Sequence, residues 1–137
     1  MPEIVVLDTH IWIWWLNNQF DCLTSKQIET ISITKRVAVS AVSAVSCFEI
    51  AQLVKRGRLD LPLPVEEWLR EALAPANIEL LPLSPQIACR AVSLADIHKD
   101  PFDRIIISTA LNYQAKLMSN DGCFIQYPEL QGYLLHS

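Results

Sequence analysis

Ile4-Val5-Val6-Leu7-Asp8-Thr9-His10-Ile11-Trp12 is the stretch on which the reading of this chain turns. Its first four residues are a short apolar run, mostly β-branched, of the kind a buried strand shows. The run ends on a carboxylate. Apolar residues then resume through Leu16 as a helix that is greasy nearly all round, with Thr9 placed to cap it. A strand over 3–8 that passes directly into a helix over 11–16 is how an α/β fold opens. Trp12, Trp14 and Trp15 give that helix a stripe expected in a core or an interface, with at least one ring at the surface.

The same alternation continues outward. Thr24 caps a helix over 24–34, and 37–39 is a short strand. Small hydroxyl residues from Ser40 to Ser46 mark a junction into a helix over 44–56 that stops at Gly57. Leu61-Pro62-Leu63-Pro64 is a stiff connection, and a helix over 65–73 follows with Glu66 and Glu67 in its first turn, where the dipole favours acids. A strand over 78–81 leads to Ser84-Pro85, a cap followed by a first-turn proline, and a helix to about Leu94. Residues 98–102 read as a loop, with His98 a hydrogen-bonding loop residue. A helix then runs to Gln114 with Asp103 in its first turn, followed by a strand at 117–118, a turn at Asp121-Gly122 and a last strand at 133–135. Strands that alternate with helices imply a three-layer α/β/α sandwich with a mainly parallel central sheet covered on both faces. The 137 residues fit a single domain over 1–137.

Four acids fall where elements meet. Asp8 ends the first strand, Glu49 lies among Val45, Phe48, Ala51 and Leu53, Asp103 precedes Ile105-Ile106-Ile107, and Asp121 follows Leu117-Met118-Ser119-Asn120. Ligands in parallel sheets bind outside the carboxyl ends of the strands, and the topology allows these acids to meet there. Each also has an ordinary explanation. Asp8, Asp100 and Asp103 could cap helices, Asp121-Gly122 could be a plain turn, and Glu49 could be an exposed helix position. Gathered together they would repel, at about 4 kcal/mol per pair for ~4 Å and an effective dielectric of ~20. A cluster of that kind calls for protonation or a bound cation, and all-carboxylate clusters suit divalent-metal chemistry on phosphodiesters. Asp100, three residues before Asp103, can share its face. Thr9 and Ser119 could orient carboxylates or water, and Arg104 is expected to pair an acid rather than touch phosphate.

Composition narrows the classes. The chain is 51% hydrophobic with a net charge of −4, which argues against a general nucleic-acid coating protein but not against a nuclease whose metal offsets its acids. Lys55, Arg56 and Arg58, and separately Lys99 and Arg104, are the candidates for phosphate contact. Mean hydropathy is +0.24, yet the greasiest segment is too short to span a membrane. The N-terminus also lacks a signal-type pattern, so a cytoplasmic location is expected. Cys22, Cys47, Cys89 and Cys123 are scattered without C-x-x-C spacing and read as free thiols, not as a zinc site.

These residues carry a resemblance to PIN-domain proteins, close to the VapC-type toxins of bacterial toxin–antitoxin pairs, over nearly the whole chain. Leu7-Asp8-Thr9-His10-Ile11-Trp12 resembles the first acidic motif of that family. Ser43 to Ala51, with Lys55-Arg56-Gly57-Arg58-Leu59 after it, resembles the second. His98-Lys99-Asp100-Pro101-Phe102-Asp103-Arg104 resembles the third, the most specific of the four, and Ser119-Asn120-Asp121 the fourth. The resemblance implies a metal-dependent endoribonuclease that uses Mg²⁺ or Mn²⁺ held by Asp8, Glu49, Asp103 and Asp121, with Asp100 in support. It also implies an RNA substrate, a homodimer, and an antitoxin that inserts a segment near the acids, to which the N-terminal tryptophans could contribute an interface.

Two rivals stay open. A phosphatase with Asp8 as nucleophile would want a second Asp two residues on, where His10 stands, and a receiver domain would want an acid pair near the start and a lysine after a late strand. A catalytically silent regulatory module binding RNA or protein would need none of the acids, and all four are present.

Overall fold

The computed structural model describes residues 3–97 and 99–135, and side chains outside 33–39. Five strands, β1 (Glu3–Leu7), β2 (Ala38–Ser43), β3 (Glu79–Leu81), β4 (Lys116–Met118) and β5 (Leu134–Leu135), form one sheet in the order β3-β2-β1-β4-β5. Every pairing is parallel. Among the described residues, six α-helices connect them: α1 (Thr9–Leu16), α2 (Ser25–Val37), α3 (Ala44–Lys55), α4 (Val65–Glu71), α5 (Pro85–Ser93) and α6 (Pro101–Asn112).

The two-residue period of β1 sends its side chains into two separate cores. Val5 and Leu7 join Trp12, Ile50 and Trp68 on one face, whereas Val6 joins Ile106, Ile107, Phe124 and Leu130 on the other. The sheet is thereby covered on both sides, as its alternating elements predict. Because β2 and β4 flank β1, the winding reverses direction between β1 and β4. The carboxyl ends of these two strands lie side by side, with Leu7 in register with Met118, and a binding crevice is expected there.

Local chemistry explains the helix ends. Thr24 and Gln27 form a reciprocal capping box, in which Gln27 N–H donates to Thr24 Oγ1 and Thr24 N–H to Gln27 Oε1. Gly57, at φ +69°, closes α3 in a Schellman arrangement with Gly57 N–H on Val54 O and Arg58 N–H on Leu53 O. Ser84 Oγ accepts from Ile87 N–H at the start of α5.

Several expectations change. Thr9 is the first residue of α1 and not its cap. Asp8 holds the cap position, yet its side chain makes no capping bond, because both side chains are drawn into contacts described below. The β2 strand is longer than the 37–39 expected, α6 ends at Asn112 with Gln114 left-handed at φ 51°, and short 3-10 turns at Phe124–Gln126 and Pro128–Leu130 occupy what reads as plain loop. Trp12 is fully buried with its indole N–H on Ala72 O, Trp14 and Trp15 are half-buried, and no tryptophan is fully exposed. His98 lies outside the described residues. All four cysteines are free, and among the described residues no helix is long and apolar enough to cross a membrane.

Candidate active site

Asp8, Glu49, Asp100, Asp103 and Asp121 line one cleft of about 400 Å³, and His10, Ile11, Trp14 and Asn120 complete its wall. Five acids up to 113 residues apart in sequence therefore meet at a single place. The fold brings them from four places, with Asp100 and Asp103 sharing one. Asp8 follows β1 directly, and its own N–H donates to Met118 O of β4 at 2.9 Å. Asp121 lies just past β4. Glu49 comes from the second turn of α3, while Asp100 and Asp103 come from the start of α6.

Two hydroxyls hold the acids in place. Ser119, fully buried, donates to Asp8 Oδ2 at 2.7 Å and accepts from Asp121 N–H at 3.0 Å, so one side chain ties two of the acids together. Thr9 donates to Glu49 Oε1 at 2.6 Å. With that proton spent, the Ser46 hydroxyl 2.9 Å away supplies the hydrogen to Thr9 Oγ1. Asn120 is fixed in turn by Gln27, whose Nε2 donates to Asn120 Oδ1 at 2.7 Å. Gln27 is buried, and one side chain both caps α2 and anchors the loop that carries Asp121.

The ordinary explanations are partly realised. Asp100 caps α6 through Phe102 N–H, and Asp121 Oδ1 accepts from Cys123 N–H in its turn. Asp8 and Asp103 differ. Both are buried, at 7% and 8% exposure, in a region where an isolated charge is costly. Burial raises the Asp8 carboxyl above its usual range, against the bond from Ser119, and burial raises Glu49 against the bond from Thr9. Asp103 is pushed up to about 8, first by burial and then by Asp100, Asp8, Glu49 and Asp121. At neutral pH this carboxyl holds its proton unless a cation takes the proton's place.

The donor set suits a hard divalent cation, being all oxygen and rich in carboxylate. Among the described residues, no three His, Cys, Asp or Glu side chains are drawn into a ready ligand shell.

Arg104 makes a set of backbone contacts that its position does not suggest. Its guanidinium donates to the carbonyls of Ala91, Leu94 and Ala95 at 2.8–3.0 Å and of Val92 at 3.2 Å, gathering the chain at the end of α5. Lys55, Arg56, Arg58 and Lys99 are exposed. The sequence gives no role at the site to His10, Asn120 or Gln27, and marks Trp14 only as part of an interface stripe. The only signal for them was adjacency to Asp8 and Asp121 and, for Gln27, the Thr24-x-x-Gln27 capping pattern.

The PIN domain family model matches residues 5–130. The chain is 30% identical over 123 residues to Ribonuclease VapC22 of Mycobacterium tuberculosis, covering 85% of this chain and 86% of that protein. Its fold is similar to solved structures of VapBC2 from Rickettsia felis bound to a promoter DNA fragment, with a TM-score of 0.72, 17% identity, and 96% and 97% of the two chains covered. It is similar also to DNA-bound VapBC from Salmonella typhimurium, with a TM-score of 0.68, 17% identity and 98% of each chain covered.

Proposed function

The chain belongs to the PIN-domain family, and we propose that it is a metal-dependent endoribonuclease in which Asp8, Glu49, Asp103 and Asp121 act together, supported by Asp100. The observation that carries this reading is the meeting of these acids in one cleft at the carboxyl ends of β1 and β4, with Asp103 buried among them. A relative that shares 30% identity over most of both chains is named a ribonuclease.

Oxygens of Asp8, Asp103 and Asp121 would hold Mg²⁺ or Mn²⁺, which would supply charge neutralisation and lower the pKa of water. The residues themselves do the rest. Ser119 fixes the Asp8 carboxylate and the Asp121 backbone in one frame. Thr9 holds Oε1 of Glu49, which sets that carboxylate in one orientation, either to hold the cation or to take a proton from the attacking water. Water adds to phosphorus in line with the leaving ribose oxygen, the phosphorus–oxygen ester bond breaks, and the departing oxygen takes a proton.

The proposal includes the partners expected from the sequence. These are an RNA substrate, a cognate antitoxin and a second copy of the chain in a homodimer. A solved structure that shares the fold is a toxin–antitoxin complex from Klebsiella pneumoniae, which supports the antitoxin. An RNA substrate suits a cytoplasmic location and a single PIN-like domain over 1–137. The silent-module reading would leave five acids in one cleft without a task, and the phosphatase reading meets His10 where it needs an acid.

Analysis of the cleavage products tests the mechanism. Hydrolysis by water leaves a linear phosphate at the cut, whereas attack by the neighbouring 2′-hydroxyl leaves a 2′,3′-cyclic phosphate. RNA digested with Mn²⁺ and resolved by mass spectrometry is expected to carry linear phosphate ends. Cyclic ends, or no cutting at all, would reject the proposal.

A further inference from the structure

Phe48 is one of the most exposed large apolar side chains, at 61%. It immediately precedes Glu49, and its ring rests against Phe102 with centroids 5.6 Å apart and planes tilted by 50°. Phe102 is half-buried at the start of α6, between Asp100 and Asp103. The aromatic pair thus bridges the two helices that deliver three of the cleft's acids. Phe48, Gln52 and Lys55 follow one another at i, i+4 and i+7 on α3 and share a helix face. Lys55 is exposed, about 10 Å along the axis from Phe48 at ~1.5 Å per residue, with exposed Arg56 and Arg58 just beyond.

The electrostatics say what this face is for. Without a bound cation, a cleft walled by five carboxyl groups on a chain of net charge −4 repels a phosphodiester backbone, and over ~8 Å that repulsion is only partly screened. Affinity for RNA must come from contact that does not depend on charge near the acids, and from cations farther away. Aromatic rings supply the first because every nucleobase has a π-face, and the basic end of α3 supplies the second.

We propose that Phe48 and Phe102 form a stacking platform for a nucleobase flanking the cut, and that the RNA strand leaves the cleft over this platform along α3 toward Lys55. The occupant is single-stranded RNA, since a base must leave its own stack to lie on a protein ring. This inference rests on the ribonuclease reading and adds the polarity of the track and the class of strand.

The test is a cycle between the ring and the base. Wild type and Phe48→Leu are titrated in EDTA against a fluorescent single-stranded decamer and a series in which one abasic ribose replaces each nucleotide in turn. Wild type is expected to lose about five- to 150-fold in affinity at one position, the span of one base stack, while Phe48→Leu binds the intact strand that much more weakly and shows no loss there. Phe48→Trp restores the wild-type pattern, and Lys55→Gln weakens every strand alike. A Phe48→Leu protein that folds normally and matches wild type at every position overturns the proposal, including when it fails to hold a protein partner, since the face would then be a protein-docking surface. Cleavage of the intact decamer with Mn²⁺ is scored separately. Cutting without a base-dependent step leaves the ribonuclease reading standing and removes only the platform.

Discussion

Thr9 donates its hydroxyl hydrogen to Glu49 Oε1 across 2.6 Å, forty residues away in sequence. The bond joins the first turn of α1 to the second turn of α3 and sets the position of one wall of the acidic cleft. Thr9 is fully buried, so solvent cannot replace it. Removing the hydroxyl leaves Glu49 and Ser46 each short of a partner, at about 1–3 kcal/mol.

Thr9→Val keeps the shape and removes the hydroxyl. Activity is expected to fall about ten- to 100-fold, the range for groups that orient metal-binding side chains. Thr9→Ser is expected to recover most of it. Steady-state cleavage rates of the two variants at matched metal concentration check this, and equal rates would show that Glu49 needs no orientation.

The acids also set a pH dependence for the metal-free protein. Asp103 ionises near 3.8 when unfolded and at about 8 when folded, so between these values the native state binds more protons than the unfolded state. Stability therefore falls as pH rises through that window and levels off above about 8. Asp103→Asn is expected to flatten the decline, raising the melting temperature of the metal-free protein at pH 7–8. Melting curves in EDTA across pH 4–9 measure both. A wild type that gains stability over this range would contradict the account of the cleft.

A divalent metal held by these acids would reverse the penalty. Mn²⁺ is expected to raise the melting temperature of wild type in proportion to the logarithm of its concentration above the dissociation constant. Asp8→Asn, relieved of a buried charge, is expected to melt higher than wild type in EDTA and to gain little from Mn²⁺. Scanning calorimetry with and without metal separates the two effects.

Arg104 gives a prediction of the opposite kind. Its guanidinium binds four carbonyl oxygens at the end of α5, so Arg104→Ala leaves several acceptors short of a donor. A loss of about 2–4 kcal/mol is expected in chemical denaturation. The cleavage rate per folded molecule, measured well below the melting point, is expected to stay within about twofold of wild type.

Much of this was readable from the chain because it depends on short-range signals. The apolar run before Asp8, the Ser84-Pro85 start, the Gly57 stop and the alternation of elements each have a local physical cause, and together they give the parallel sheet. The three-residue spacing of Asp100 and Asp103 allowed a shared face, and α6 starts at Pro101, earlier than the loop read over 98–102, with Asp100 as its cap. Less could be read where a side chain finds its partner through the fold. Thr9 sits at a position that fits a cap, and only the packing of α1 on α3 assigns it to Glu49; the carbonyl contacts of Arg104 likewise depend on the packing of α5 on α6. The Gln27–Asn120 bond spans 93 residues, and no local pattern encodes it. The short turns after Asp121 are held by Phe124, Tyr127 and Leu130 in the second core, a tertiary cause with no periodic signature over so few residues.

The central claim is that the gathered acids hold a divalent cation that cleaves RNA. The most direct measurement is cutting of a mixed RNA pool by the purified protein, free of any bound partner, with Mg²⁺ or Mn²⁺, with EDTA, and beside Asp8→Ala. The account predicts cutting that needs metal, stops in EDTA and is lost in a normally folded Asp8→Ala protein. Cutting that survives in EDTA or in Asp8→Ala would contradict it.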